Sequence, residues 1–486
     1  MSNQEITFLS AAGLLSAYRR RELSPVEVTQ ATLERIDRLN PTLNAYLCVD
    51  REGALAAARV AERTWAQPGE KPLLCGVPVS VKDLLYTTWL PTTHGSLVFK
   101  DYRHPQNSPV VDRILAAGGV ILGKTNTPEF GLLDVTRNRL RDECRNPWNL
   151  DHTPGGSSGG AGAAVATGLG PLAIGTDGAG SIRIPALHCG VYGLKPSFGR
   201  VPHDGWKGAP HTSHQGPMTR TVRDAALLMQ AIAGPDARDA LCMTEQPPNF
   251  LEALTPRVWS GTRVAMSLDY GHLEVDPEIR QAVLDAASLL RGLGCEIIES
   301  HPPKREGGDA GIDLLSPEEY AYALLIKPDF DEHLDELCDY AQAIIKAAAA
   351  MPAWKFSQAV RHREAWAAAV HRWFRDFDFF LAPVMGETAR RCDAKFPWEE
   401  GRPWSGAFLP IFNASGNPAA SIPFRFHGNG LPVAVQLAGR AGDDAGVLRL
   451  SAAIEAARPW AERWPSIATE GATQGAREYA QAKGQR

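Results

Sequence analysis

The chain has 486 residues and a formal net charge of −5; 44% of it is hydrophobic and 22% charged. That is ordinary globular composition, and it excludes a disordered, collagen-like or membrane-spanning protein. Lys and Arg total 50 against 55 Asp and Glu, with no run of like charge, so nothing advertises a surface for nucleic acid or an anionic membrane.

The first residues, MSNQEITF, carry neither a basic segment nor an apolar one, so no secretory signal is expected. Ser24-Pro25-Val26-Glu27 then reads as an N-cap, a proline at the first helical position and a capping-box glutamate. Val26, Leu33 and Ile36 share one face, and Asn40-Pro41 is expected to stop the helix, which predicts helix over 25–39. From about residue 74 short apolar runs alternate with helical ones. Val77–Val81, Val120–Leu122 and Leu172–Thr176 read as strands, with a helix opening at Ser108-Pro109 and closing at Gly118-Gly119.

The uncharged stretch Thr153–Thr176 is long enough to span a membrane, but its TPGGSSGG start argues for a loop and a small-residue helix to about Gly168. Further on, Arg263–Leu268 and Cys295–Glu299 read as strands around a helix from Pro277 to Leu290. Residues 316–372 have helical spacing, and Phe379–Leu381, Ala419–Ile422 and Pro432–Leu437 read as strands. Asp443 or Asp444 caps a last helix to about Ala457, and the tail from Ser466 is expected to fray. Strands separated by helices imply an α/β fold, a largely buried central sheet with helices on both faces. The expected organisation is one large domain over 1–465, with 466–486 as a tail. Gly and Pro, 45 and 36 residues, make a sixth of the chain against an average of about an eighth, so long shaped loops are expected.

Eight cysteines stand at gaps of 27 residues or more with no C-x-x-C, which reads as reduced, buried thiols in a cytoplasmic protein. The thirteen histidines form no H-E-x-x-H, and neither a metal nor a cofactor is expected.

Two familiar motifs fail on context. Gly118–Thr125 matches the P-loop pattern, yet its variable positions are bulky strand residues rather than an open loop of amides, and Asn126-Thr127-Pro128 discourages the helix that should follow. Gly156-Ser157-Ser158-Gly159-Gly160 matches the nucleophile elbow, yet Leu150–Pro154 does not read as the strand that an elbow requires. A third constellation holds together better. It comprises GVPVSVKD at 76–83, PGGSSGG at 154–160 and GTDGAGSIRIPA at 175–186. Lys82 closes an apolar run, where a charge is costly unless neutralised or paired, and the serines sit in glycine-dense loops whose amides can face a ligand.

Together these segments resemble the amidase signature family, the Ser-cisSer-Lys amide hydrolases. The likeness extends through LSPVEVTQATLERIDRLNPTLNAYL, GKTNTPEFG, CGVYGLKPSFGRVP, GPMTRTVRDAALLMQAIAG and GLPVAVQLAGR, nearly the whole chain. It implies that fold as a single amidase domain, with a signature core at about 70–235 and a variable helical region at about 303–372. It implies Lys82 as the base, Ser157 as a bridging serine after a cis Gly156–Ser157 bond, and Ser181 as the nucleophile. It places the oxyanion hole on the amides of Gly178, Ala179, Gly180 and Ser181, with Asp177 and Arg183 as structural support. Two departures stand out: Ala179-Gly180 where the family often has Gly-Gly, and Glu143-Cys144 where it often carries a Gly.

The chemistry suits these residue types. A serine hydroxyl is a weak nucleophile and must lose its proton during attack. Without histidine, a lysine serves as base only if its pKa falls from about 10.4 to about 7–8, and burial at the end of an apolar strand supplies that direction. The expected activity is hydrolysis of a carboxylic amide to the acid and ammonia or an amine through a serine acyl-enzyme. The expected partner is a small-molecule amide, with no nucleic acid, no membrane, and a homodimer as the assembly to test. The competing readings are the glutaminase subunit of a tRNA-dependent amidotransferase and a non-catalytic binding module. Substrate contacts are unassigned, with Trp206, His211 and Cys338 as loose candidates.

Overall fold

Val77, Val79 and Val81 alternate with polar Ser80 and Lys82, and all five residues of the strand Pro78–Lys82 are buried. A strand with no wet face must be covered on both sides and paired on both edges. In the computed structural model, which describes residues 2–203, 212–304 and 310–469, this strand lies among eleven. They are β1 (Tyr46–Val49), β2 (Pro78–Lys82), β3 (Val120–Thr125), β4 (Leu172–Asp177), β5 (Tyr192–Lys195), β6 (His214–Thr219), β7 (Arg263–Met266), β8 (Glu296–Glu299), β9 (Phe379–Pro383), β10 (Ala419–Phe426) and β11 (Pro432–Gly439).

They form one mixed sheet in the order β1-β3-β2-β4-β6-β5-β10-β11-β9-β7-β8. β2 runs parallel to β3 and to β4, and β7 runs parallel to β8 and to β9; the pairs in between are antiparallel. The valines of β2 pack with Val110, Ile114 and Ile174 on one side. The other side is covered by the helix Gly159–Ala166, whose residues are all buried and small enough to lie close to the sheet. The α/β architecture, with helices on both faces, is as expected.

Several boundaries differ from the sequence reading. The helix expected over 25–39 runs from Pro25 to Leu43, through Pro41. Proline in a last turn removes one hydrogen bond, and the full burial of Leu39 and Leu43 outweighs that loss. Asn44, left-handed at φ 49°, ends the helix instead. Three strands were not read from the sequence: β1 and β5 are only four residues long, and β6 holds a glycine and a proline. Residues 466–469 are a short helix rather than frayed chain, while 470–486 lie outside the described residues. All eight cysteines are free, as expected, but Cys48, Cys242, Cys338 and Cys392 are only half-buried.

Two carboxyls, a buried Asp224 and a half-buried Glu455, hold three helices to one another. Asp224 accepts from the Ala11 and Ala12 amides at 2.9 and 3.0 Å, capping the helix Ala11–Arg19 from a distant part of the chain. Glu455 accepts from the Val222 amide at 3.1 Å. Burial raises Asp224 from 3.8 to about 6, and burial, with the Asp224 charge adding, raises Glu455 from 4.5 to about 7. The folded state therefore keeps protons that the unfolded chain has released, so this part of the stability is complete below the unfolded values and declines as pH rises through the folded ones. Between pH 4.5 and 7 the melting temperature of Glu455→Gln should fall less than that of the wild type, as a thermal-melt series over pH will show.

Candidate active site

β2 ends at Lys82, whose side chain has no exposed surface. By strand alternation it shares a side with Ser80, away from the valines. The amine donates to Ser157 Oγ at 2.6 Å and to Thr176 Oγ1 at 2.8 Å.

Ser157 sits in the loop that leads into the helix Gly159–Ala166 and is 2% exposed. The Gly156–Ser157 peptide bond is cis. At Gly156 a Cβ would fall 2.6 Å from the Leu133 carbonyl and the Val135 amide, so glycine is what lets the 133–135 segment pass this closely. The Ser158 amide donates to the Ser181 carbonyl at 3.1 Å, which fastens the two serine-bearing segments together.

Ser181 follows the end of β4 and precedes the helix Arg183–Cys189. It is half-buried, so exposure increases from Lys82 to Ser157 to Ser181. Ser181 Oγ makes no hydrogen bond among the described residues, to Ser157 or to any other. Gly180 turns the loop at φ 129°, and a Cβ there would fall 2.5 Å from Leu409 Cδ1.

This arrangement has close relatives. The Amidase family model matches residues 27–448. The chain belongs to the amidase signature family. It is 38% identical to an acylamidase of Rhodococcus erythropolis, the alignment covering 96% of this chain and 99% of that one. It is 33% identical to a glutamyl-tRNA(Gln) amidotransferase subunit of Roseiflexus castenholzii, over 96% and 99%. Among solved structures, a bacterial aryl acylamidase of the amidase signature enzymes superposes with a TM-score of 0.87 at 31% identity, over 94% of this chain and 97% of that one. The protein is thus an amide hydrolase of this family, acting on carbon–nitrogen bonds.

The loop of this amidase signature enzyme that carries Ser181 is organised by Asp177. Its carboxylate accepts from the Gly180 amide at 2.7 Å and the Ile182 amide at 3.1 Å, and it faces Arg183 at 3.0 Å with both side chains fully buried. Burial opposes ionisation of Asp177, but the charge and hydrogen bonds of Arg183, with Asn413, outweigh it and hold the carboxyl well below the usual range. Arg183 also reaches the Leu409 carbonyl and Gln436 Oε1, at 3.0 and 2.8 Å. The supporting role expected of both residues fits these contacts. Of the four amides expected to form an oxyanion hole, that of Gly180 instead donates to Asp177.

The rejected motifs resolve clearly. Ser158 is fully buried, and its hydroxyl pairs with both the amide and the carbonyl of Thr176 at 3.2 Å, so it cannot meet a substrate as an elbow nucleophile would. The P-loop match is strand β3, and its lysine, Lys124, is buried against Asp83 at 3.1 Å and Thr92 Oγ1 at 2.7 Å. A third buried lysine, Lys195, donates to the Pro196 and Asn417 carbonyls. Thr176, the second partner of Lys82, was missed because nothing in the sequence marks a strand threonine as a lysine acceptor. Cys338 packs beside the aromatic cluster of Phe99, Phe130 and Phe330, its amide donating to Glu129 at 2.6 Å. Trp206 and His211 lie outside the described residues.

Removing one partner of a buried ion pair leaves the other charge uncompensated and typically costs about 3–5 kcal/mol. Asp177→Ala should lose stability on that scale in a denaturant titration, and hydrolysis with it, because Arg183 is then stranded among Leu409, Asn413 and Gln436.

Proposed function

We propose that this enzyme hydrolyses a neutral carboxylic amide through a serine acyl-enzyme, with Lys82, Ser157 and Ser181 as the catalytic relay. The observation that carries the reading is the 2.6 Å bond from a fully buried Lys82 amine to Ser157 Oγ. The 38% identity to an acylamidase supports an acyl amide as the substrate class. No charged cluster in the sequence argues for a carboxylate-bearing substrate.

In the proposed cycle, neutral Lys82 takes a proton from Ser157 as Ser157 takes one from Ser181. Ser181 Oγ then attacks the amide carbonyl carbon. For this Ser181 must turn onto Ser157, and catalytic hydrogen bonds commonly tighten only in the substrate complex. The carbonyl oxygen gains the electron pair and is met by the amides of Gly178, Ala179 and Ser181. One such donor is typically worth about 10²–10³ in rate. Collapse of the tetrahedral species breaks the C–N bond, and the proton returns through Ser157 to the leaving nitrogen. Water, deprotonated by the same relay, attacks the acyl-enzyme and frees the carboxylic acid and Ser181. The methyl of Ala179 leaves its amide free to donate.

A fluorophosphonate should label Ser181, read by intact-mass and peptide mass spectrometry; label on Ser158 with Ser181 unmodified would overturn the assignment. Lys82→Ala should abolish hydrolysis at pH 7, and full activity there would remove the proposed base. A panel of primary amides, anilides, carbamates and oligoamides, followed by amine release, should show hydrolysis by the isolated chain. The 33% identity to an amidotransferase subunit favours a second reading, which glutamine hydrolysis appearing only with charged tRNA and a partner protein would install instead.

A further inference from the structure

The helix Ala11–Arg19, the end of the helix Arg51–Ala66 with the loop after it to residue 73, and the helices Val222–Ile232 and Phe250–Ala253 border a cleft that shares no lining residue with the site above. Its volume is about 800 Å³, within the span of about 300–1,000 Å³ common for small-molecule sites. Four cations from three separate parts of the chain line it: Arg19, Arg21, Lys71 and Arg223. None makes an ion pair within 4 Å among the described residues, and Glu70 is the one acidic residue among those lining the cleft. Such a concentration of positive charge is conspicuous on a chain of net charge −5.

Apolar side chains form part of the walls between these charges. Leu15, Leu227 and Leu251 belong to the main core or pack against it. Trp65 turns its indole N–H to the Cys75 carbonyl at 3.1 Å, which satisfies its polar atom and leaves ring surface to line the cleft. Cations over apolar walls suit an anion with a hydrocarbon body better than a bare inorganic ion, which would gain nothing from the leucines.

We propose that this cleft is a second ligand site, for an organic carboxylate with an apolar body. A carboxylic acid is what an amide hydrolase releases, and it is ionised at neutral pH. The inference needs only that family chemistry, so it stands apart from the assignment of Lys82, Ser157 and Ser181.

Titration calorimetry with octanoate on the full chain tests it, with inorganic phosphate and 1-octanol as controls. The expected result is a saturable class of octanoate sites that weakens about tenfold or more in the Arg19→Gln/Arg223→Gln double variant, and also in Lys71→Gln, while amide turnover in both variants stays at the wild-type rate. Turnover serves as the check on folding. Octanoate binding that is absent, or unchanged by these substitutions, overturns the proposal. So does phosphate binding as tight as octanoate, which marks a bare-anion site, or octanol binding as tight, which marks an uncharged groove.

Discussion

A lysine amine held out of water beneath a serine hydroxyl is the constraint around which this fold is arranged. Placing Lys82 at the end of β2 with no exposed surface requires parallel neighbours on both edges and covered faces above and below. The cover on the serine side can come close only because the helix Gly159–Ala166 is built of glycine, alanine and one valine. The same helix holds Ser157 at its entrance. One packing solution therefore delivers both the buried amine and the hydroxyl it meets.

How legible this was depended on the kind of signal. β2, β3 and β4 were readable because buried parallel strands announce themselves as apolar runs between turn residues. β1, β5 and β6 were not, because YLCV, YGLK and HQGPMT are strands only in the company of their neighbours. The helix through Pro41 shows the same override, with tertiary burial of Leu39 and Leu43 prevailing over a local stop signal. At the site, the serines and lysine came from ordered motifs spread along the chain. The reach of Arg183 to Asn413 and Gln436, and the commitment of the Gly180 amide to Asp177, involve separations or loop geometry that no local pattern encodes.

Three fully buried lysines show how surroundings divide labour among identical side chains. Lys124 meets a carboxylate and a threonine, and Lys195 meets two backbone carbonyls. Lys82 meets a serine and a threonine hydroxyl. Through Asp83 and Thr92, Lys124 ties β3 to the chain that follows β2. Burial, with the Arg183 charge adding, holds the Lys195 amine well below the usual lysine range.

The contacts of Arg183 with Leu409, Asn413 and Gln436 carry a consequence for how the molecule comes into being. The loop that carries Ser181 is encoded before residue 190, but the groups that brace it are made more than two hundred residues later. A ribosome-bound fragment that ends before Leu409 carries Lys82, Ser157 and Ser181 and still lacks the brace. The bracing of this loop is thus deferred until synthesis is nearly complete.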